Sequence, residues 1–253
     1  MKDCCGGYES EELLMDFSGK DKAAYVQDTF NSIAKRYDVM NTLMSFGLDK
    51  GWRKKAVQTV EAKPGMTMVD ICCGTAQLSL ELAMTVGEQG QITGLDFSEN
   101  MLKKAQENLA GSPYRSIIEL RQGDAMNLPF ADNSFDGATV GWGLRNLPDL
   151  EKGVQEMIRV VKPGGMVVSL DMAKPTMPGF KQGYWLYFNK LVPLMGKIWA
   201  GKAKAYQYLH DSAVEFPSQQ ELANIFARCG LTETRYQNLA GGVVAIVSGR
   251  KPR

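Results

Sequence analysis

Short apolar runs alternate with stretches of helical periodicity from residue 66 to residue 171. An apolar run bounded by turn residues indicates a buried strand, whereas apolar positions three and four apart indicate a helix. Strands are predicted at residues 66–71, 91–95, 117–121, 136–140 and 166–171. Helices are predicted at 77–86, 98–110 and 150–161, followed by a sharp turn at 162–165. Repeated strand–helix units of this length predict an α/β fold with a doubly wound, mostly parallel sheet.

Both ends of the chain add elements to this central unit. Four apolar or aromatic side chains between residues 26 and 37 recur at helical spacing, and a second helix is predicted at 51–60. Near the C-terminus, Ser218 and Glu221 have the spacing of a capping box, which predicts a helix start. Residues 231–238 and 243–248 are predicted to pair as a hairpin on the sheet edge, which makes a seven-stranded sheet.

These elements suggest a division of the chain. We expect a loose N-terminal tail at residues 1–19, a helical lid at 20–62 and a main domain at 63–253. The main domain is predicted to carry an inserted helical cap at about 176–215, where aromatic and apolar residues recur at helical spacing among lysines. Asp38 and Asn41 stand among apolar residues in the lid region, which indicates either a helix end packed in the core or a lid over a ligand.

The composition excludes several classes of function. The chain has 253 residues, 44% of them hydrophobic, which is enough for a full core. Its 29 basic and 28 acidic residues leave no basic excess of the kind that binds nucleic acid. Five cysteines without a CxxC pair and one histidine predict neither a disulfide framework nor a metal site. Without a secretory signal or a membrane-spanning stretch, we expect a cytoplasmic protein.

The stretch from Val69 to Ala76 ends one apolar run and begins a helical pattern. Strand, tight turn and helix in this order form a nucleotide-binding corner, where backbone N–H groups face the ligand. Asp96 follows the next predicted strand, where a carboxylate can accept both ribose hydroxyls. Asp124 follows the third strand, where it can accept from an adenine amine, with apolar residues 128–130 enclosing the ring. Together with Asp70, these acids at successive strand ends favour a ligand site over three unrelated loop residues.

The glycines of the turn discriminate between two ligands. The dinucleotide fingerprint GxGxxG is absent, because Gly74 is the only glycine of the turn. A pyrophosphate needs close backbone approach at several points, whereas S-adenosylmethionine carries no phosphate and tolerates fewer glycines. The corner therefore predicts S-adenosylmethionine as the cofactor. A nicotinamide-dependent oxidoreductase and a non-catalytic binding module are the alternatives from other classes.

Motifs outside the corner are more specific than the corner itself. They are the run Phe30 to Asn41, the segment Met44-Ser45-Phe46-Gly47, Trp52-Arg53, Gly143-Leu144-Arg145-Asn146 and Phe216-Pro217. With these motifs, residues 25–249 resemble the C-methyltransferases of ubiquinone and menaquinone biosynthesis. The turn Cys72 to Ala76 is more similar to the demethylmenaquinone branch. The chain departs from the family at Asp171, where a glutamate is frequent, and at Gly141, where some members have a serine.

The resemblance implies a class I, Rossmann-like methyltransferase that methylates the reduced quinone ring of a polyprenyl lipid with S-adenosylmethionine. It implies demethylmenaquinol as the acceptor, with the benzoquinol of ubiquinone biosynthesis or another small molecule as alternatives. Cofactor contacts carry over to Thr75, Asp96, Asp124 and Ala125, alongside Asp70 and Gly74 of the corner.

Residues for the chemistry come from the lid region and from the segment after the fourth strand. Arg145 is expected to stabilise the quinolate and Asn146 to orient a ring oxygen, while a loop salt bridge is the alternative role for Arg145. Tyr37 and Asp38 are the other catalytic candidates, with Asp38 as a base. Candidate acceptor contacts are Asn41, Trp142, Tyr184 and Tyr208.

The expected partner is a polyprenyl naphthoquinol lipid. The lysine-flanked segment at 181–204 is either a helix over the substrate pocket or a surface that docks on anionic lipid. Peripheral association with the inner face of the cell membrane and formation of a homodimer are further expectations, and a nucleic-acid partner is not expected.

Overall fold

The structure, a computed structural model, describes residues 26, 30, 31, 34, 37–175, 208 and 211–253. The predicted tail at 1–19, much of the first lid helix, most of the inserted cap and the acceptor candidate Tyr184 lie outside these residues. In the part of the chain that is described, no helix has the length and apolar character needed to cross a membrane.

The described elements follow the predicted order. The helices are α1 (Tyr37–Met44), α2 (Asp49–Thr59), α3 (Gln77–Val86), α4 (Glu99–Leu109), α5 (Leu150–Val160) and α6 (Gln219–Arg228). The strands are β1 (Thr67–Ile71), β2 (Gln91–Asp96), β3 (Ile118–Gln122), β4 (Phe135–Gly141), β5 (Val161–Met172), β6 (Thr232–Leu239) and β7 (Val244–Arg250). The predicted helix starts are confirmed at α4, where Ser98 Oγ accepts from Met101 N, and at α6, where Ser218 and Glu221 form a full capping box.

The seven strands form one sheet in the order β3-β2-β1-β4-β5-β7-β6. The first five strands are parallel, and β7 runs antiparallel to both β5 and β6. The predicted doubly wound sheet and its closing hairpin are therefore confirmed. The chain proceeds outward from β1 to β3 and then returns to place β4 on the other side of β1. This reversal opens a crevice at the carboxyl ends of β1 and β4, where ligands bind in such sheets.

Apolar clusters cover both faces of the sheet, as the doubly wound pattern requires. One cluster joins β1, β4 and β5 to α5 and α6, with Met157 and Phe226 among its fully buried side chains. The other joins the sheet to α2, α3 and α4, with Ala56, Leu82 and Leu109 at its centre. Helices on both faces explain why the central strands are almost continuously apolar.

The predicted sharp turn at residues 162–165 is wrong. This segment belongs to β5, with an irregularity in its register between Phe135↔Val161 and Gly137↔Met166. The C-terminal segment supplies its hydrogen-bond partners: Gly164 N donates to Lys251 O at 2.9 Å, and Lys251 N donates to Gly165 O at 2.9 Å. The C-terminal segment therefore completes the backbone hydrogen bonding of a sequence whose local pattern predicts a turn.

Asp70 ties three elements together beneath the crevice. Its side chain is fully buried, and its two carboxylate oxygens accept from Ser79 Oγ of α3 at 2.6 Å and from Thr139 Oγ1 of β4 at 2.9 Å. Burial raises the pKa of Asp70 to about 7, against the opposing effect of these two hydroxyl donors. Asp70 thus fixes the start of α3 and the neighbouring strand to β1.

The turn after β1 brings backbone segments into unusually close contact. Cys72, Gly74 and Ala76 all have positive φ, at 54°, 54° and 64°. A Cβ added at Gly143, which follows β4, would lie 2.5 Å from Cys72 Cβ. Such a distance is far inside van der Waals contact, so only glycine at position 143 allows the loop after β4 to lie against this turn.

We expect Gly143→Ala to reduce the free energy of unfolding by about 1–3 kcal/mol, because the added methyl group overpacks this contact. Gly111→Ala is the control, since its added Cβ would meet nothing within 4 Å. Denaturant titration measures both. Adding Cys72→Gly to Gly143→Ala removes the opposing Cβ and suits the positive φ at position 72, so it should restore part of the lost stability. If Gly143→Ala and Gly111→Ala were equally stable, this would contradict the close contact.

The raised pKa of Asp70 predicts a pH dependence of stability. Between about pH 4 and pH 7 the folded chain binds more protons at this site than the unfolded chain, so the contribution of Asp70 to stability falls as pH rises through this window. Asp70→Asn can still form hydrogen bonds with both hydroxyls, but its side chain does not titrate, so the variant lacks this pH-dependent contribution to stability. The stability of the variant relative to wild type should rise by about 2–3 kcal/mol between pH 5 and pH 8 in urea titrations. If the stabilities of wild type and Asp70→Asn changed in parallel with pH, this would contradict the raised pKa of Asp70.

Candidate active site

Asp96, at the end of β2, lies across from the turn after β1. Its Oδ2 accepts from Gly74 N at 2.8 Å, and its Oδ1 accepts from Ser98 N at 2.8 Å, so both oxygens are fixed by backbone donors. Burial raises the pKa of Asp96, and these backbone hydrogen bonds act against that rise. Each carboxylate oxygen retains a second lone pair, which leaves Asp96 able to accept from a pair of vicinal hydroxyls.

A cavity of about 150 Å³ adjoins Asp96. Asp124 and Ala125 line it together with Asp96, so the structure brings these three predicted cofactor contacts to one place. Its apolar lining includes Phe97, Met101 and Met126. The apolar residues predicted to enclose the adenine ring do not line this cavity. Leu128 is buried in the core, and Phe130 packs edge-on against Phe135 with ring centroids 5.0 Å apart.

A second cavity of about 690 Å³ also borders the turn after β1. It is lined by Asp38 and Asn41 of α1, by Thr75 and by the predicted acceptor contact Trp142. The two cavities share lining residues from the turn, from the end of β4 and from the start of α1: Tyr37, Cys72, Gly74, Gly141 and Trp142. Two ligands in these cavities would therefore meet at the turn after β1.

Asp38 connects α1 to the turn. Its carboxylate accepts from Thr75 Oγ1 at 2.5 Å, from Asn108 Nδ2 at 2.9 Å and from Gln77 Nε2 at 3.4 Å. No residue of α1 is buried, so the interpretation of this segment as a helix end packed in the core is not supported. Three donors on one carboxylate favour a positioning role for Asp38 over the predicted role as a base.

Arg145 forms a buried ion pair with Asp171 at the ends of β4 and β5. Arg145 Nη1 lies 2.7 Å from Asp171 Oδ1, and the two side chains are 4% and 2% exposed. Burial lowers the pKa of Arg145, but the charge and hydrogen bond of Asp171, together with Tyr37 and Tyr208, outweigh burial and raise the pKa above the usual value. Sequence reasoning missed Asp171 as a site residue; its only signal was the shorter acid where the similar family often has glutamate.

The Arg145–Asp171 pair retains unused hydrogen-bonding capacity. Among the described residues, Arg145 Nε and Asp171 Oδ2 are buried polar atoms that have no hydrogen-bond partner. Because nearly all buried polar groups in proteins are paired, such atoms at a ligand-binding edge suggest a missing ligand or ordered water. Arg145 therefore forms the salt bridge considered for it, and the two unpaired atoms leave hydrogen-bonding capacity at the ends of β4 and β5.

Several predicted residues gather around this pair. Tyr208 Oη donates to Asn146 Oδ1 at 3.0 Å, and Asn146 Nδ2 donates to Trp142 O at 3.1 Å. Tyr37, the half-buried first residue of α1, is largely removed from water, which raises its pKa, while the charge of Arg145 and a hydrogen bond with Asn41 oppose the shift. Residues predicted from three separate parts of the sequence therefore lie within one site.

The cysteines of the turn are packing residues. Burial raises the pKa of both Cys72 and Cys73, which keeps them as neutral thiols and removes them as nucleophiles at neutral pH. A Cβ added at Gly94 of β2 would lie 3.1 Å from Cys73 Sγ, so this thiol fills the space above β2. In the described part of the chain, no group of three His, Cys, Asp or Glu side chains could hold a metal ion.

The site fits S-adenosylmethionine. Asp96 offers free lone pairs to ribose hydroxyls, and the cavity beside it combines an acid, Asp124, with apolar side chains suited to an adenine ring. The turn presents one glycine and a buried thiol where a pyrophosphate would require open backbone.

Comparisons with known proteins agree with this geometry. A family model described as the ubiE/COQ5 methyltransferase family matches residues 18–251. Demethylmenaquinone methyltransferases from Bacillus cereus and Bacillus anthracis are each 47% identical over 231 residues, covering 91% of this chain and 97% of theirs. A crystal structure of an S-adenosylmethionine-dependent methyltransferase from Aquifex aeolicus shares the fold, with a TM-score of 0.59, 19% identity and coverage of 78% of this chain and 88% of that one.

The predicted Rossmann-like methyltransferase fold and the predicted cofactor are thereby confirmed. The family match covers nearly the whole chain and includes both the lid motif and the segment with Arg145 and Asn146. This chain belongs to the ubiE/COQ5 methyltransferase family and is an S-adenosylmethionine-dependent methyltransferase.

Proposed function

We propose that the chain methylates the ring carbon of demethylmenaquinol, a polyprenyl naphthoquinol, to give menaquinol. The observation that carries this proposal is the wall shared by the two cavities, where Tyr37, Cys72, Gly74, Gly141 and Trp142 contact both. A methyl donor beside Asp96 and a ring in the larger cavity would meet at this wall. The naphthoquinol is favoured over other acceptors by the names of the relatives at 47% identity.

The bound donor supplies an electrophilic methyl group on a sulfonium. Transfer to carbon therefore needs no nucleophilic side chain, and the thiols of Cys72 and Cys73 are neutral because their pKa values are raised. What the protein must provide is alignment of the ring carbon with the methyl group, which lowers the entropic part of the barrier. The contacts from Asp38 to Thr75 and Asn108 hold α1 against the turn and thereby help to enclose the two ligands.

Ring carbon becomes nucleophilic when a neighbouring hydroxyl of the quinol ionises. Arg145 remains protonated, so its role is to stabilise the resulting oxyanion rather than to remove the proton. Asp171 occupies Nη1 of Arg145, and Nε is buried and has no partner. Arg145 is not among the residues that line either cavity, so its charge acts on the oxyanion through a bridging water. The hydroxyl proton passes to water, because Asp38 is already hydrogen-bonded to three donors and the raised pKa of Tyr37 keeps its phenol protonated. As the ring carbon takes the methyl group, the bond between that methyl group and sulfur breaks. The ring carbon then loses its hydrogen as a proton to water, which restores the aromatic ring.

Asn146 borders the smaller cavity, on the donor side of the shared wall. Its side chain is held between Tyr208 Oη and Trp142 O, which fixes its orientation beside Asp124. Asn146 can reach a ring oxygen only where the acceptor meets the donor at the shared wall, so the orientation of that oxygen by Asn146 stays a prediction. Tyr184, peripheral membrane association and a homodimer stay predictions, because they rest on residues or partners outside the described structure.

The acceptor is tested by methyl transfer from labelled S-adenosylmethionine to two reduced quinones in parallel. We expect transfer to a demethyl-naphthoquinol at a kcat/KM at least about tenfold above that for a benzoquinol of the ubiquinone pathway, because the two rings differ in size and in oxygen surroundings. Mass spectrometry locates the new methyl group on ring carbon. Preferred methylation of the benzoquinol, or methylation of oxygen, would contradict the proposal.

Arg145→Ala should lower kcat by about 100-fold or more, because the oxyanion loses the positive charge that stabilises it, while the affinity for S-adenosylmethionine stays unchanged. Steady-state kinetics and calorimetric titration measure the two effects. The exposed Arg228, paired with Glu151, provides the control variant Arg228→Ala.

Since Arg145→Ala leaves Asp171 as an unpaired buried charge, its loss of activity could reflect instability. The double variant Arg145→Met with Asp171→Asn removes both charges and should recover stability without recovering kcat. A double variant with wild-type turnover would remove Arg145 from the mechanism.

A further inference from the structure

An apolar stripe runs along α1 and the turn after it. Val39 and Leu43 are four residues apart and share one face of α1, and Phe46 follows in the turn after the helix. They are 69%, 40% and 79% exposed, so the stripe is among the most exposed apolar surfaces of the described chain. An amphipathic helix normally turns such a face toward the core, whereas α1 buries none of its residues.

The same three side chains line the larger cavity. Its inner end is formed by the turn after β1 and by Trp142, where the acceptor ring is placed under the proposed function. The stripe thus forms an apolar rim that is continuous with the reaction site.

Polar contacts, rather than burial of the stripe, hold α1 in this position. Asp38, adjacent to Val39, accepts hydrogen bonds from Thr75, Gln77 and Asn108. The orientation of the helix is therefore set from its polar side, and the apolar side is left free at the cavity mouth. Contiguous exposed apolar surface beside a pocket is typical of a surface that a ligand covers.

The charges around the cavity favour an uncharged apolar occupant. Asp49 and Arg53, which also line it, neutralise each other in an ion pair of 2.9 Å with side chains only 5% and 7% exposed. Asp70 is bonded to two hydroxyls and Asp38 to three donors, which leaves Lys50 as the exposed charge among the described lining residues. An anionic membrane surface is recognised by clusters of basic residues, and one lysine does not form such a cluster.

We propose that Val39, Leu43 and Phe46 form the binding subsite for the isoprenoid tail of the acceptor. This inference rests on the proposed function, since it takes the ring to occupy the inner end of the same cavity. The tail covers the stripe while the ring reaches the turn after β1. The stripe thereby selects acceptors that carry an apolar chain, and residues deeper in the cavity select the ring.

The test compares two naphthoquinols with the same ring, one with a long isoprenoid tail and one with the tail cut to a single isoprene unit. Both are presented in detergent micelles and, in a parallel assay, in phospholipid vesicles, and each variant is assayed by steady-state kinetics. Val39→Ser and Phe46→Asn remove apolar contact area, and asparagine tolerates the positive φ of 51° at position 46. For each variant we expect KM for the long-tailed acceptor to rise about tenfold, with kcat unchanged and with little change in KM for the short one.

Met84→Ser is the matched control, because Met84 is 44% exposed on α3 and does not line the cavity. Unchanged KM for both acceptors, or an equal rise for both, would overturn the inference while leaving the proposed function intact. A defect that disappears in micelles and persists only with phospholipid vesicles would indicate membrane docking and would equally overturn it. If the wild-type enzyme methylates neither naphthoquinol, the proposed function fails and the tail subsite fails with it.

Discussion

The packing of the loop after β4 against the turn after β1 is the contact on which the site depends. Cys72 lies so close to Gly143 that no side chain fits between them, and both segments begin at the carboxyl ends of adjacent strands. This contact brings Trp142 and Asn146 beside the nucleoside cavity and makes Cys72 part of the wall of both cavities. The reversal of strand order between β1 and β4 is what makes these two strand ends neighbours.

Two kinds of buried polar group lie near this contact, and they differ in the free energy that their burial costs. Asp70 has its hydroxyl partners within the fold, so it organises β1, β4 and α3 as a complete unit. Arg145 and Asp171 are paired but incompletely bonded, which costs free energy in the absence of a ligand. Buried polar atoms that lack hydrogen-bond partners until a ligand binds are expected where charge develops during a reaction. The neutral thiols around it limit competing chemistry.

The region predicted to be a lid contributes helix α1 to the site from outside the sheet. Helix α1 is attached through Asp38 to the turn and to α4, with its apolar stripe left over the mouth of the larger cavity. Polar attachment and apolar exposure on one short helix are consistent with an element that closes over an apolar ligand. The sequence alone could not distinguish this from a helix end in the core, because an apolar stripe at helical spacing has the same appearance in both.

The sequence by itself determined the alternation of strands and helices, the capping box at Ser218, the acids at the strand ends and the family resemblance. These features depend on local periodicity, on side chain to backbone bonds a few residues apart, or on motifs. Only the tertiary structure decided the pairing of Arg145 with Asp171, the continuation of β5 through residues 162–165 and the shared wall of the two cavities. Each of these joins residues far apart in the chain, as with the C-terminal Lys251 that pairs with the start of β5. A local sequence pattern does not predict such contacts, because they depend on strand order and packing rather than on the sequence around each residue.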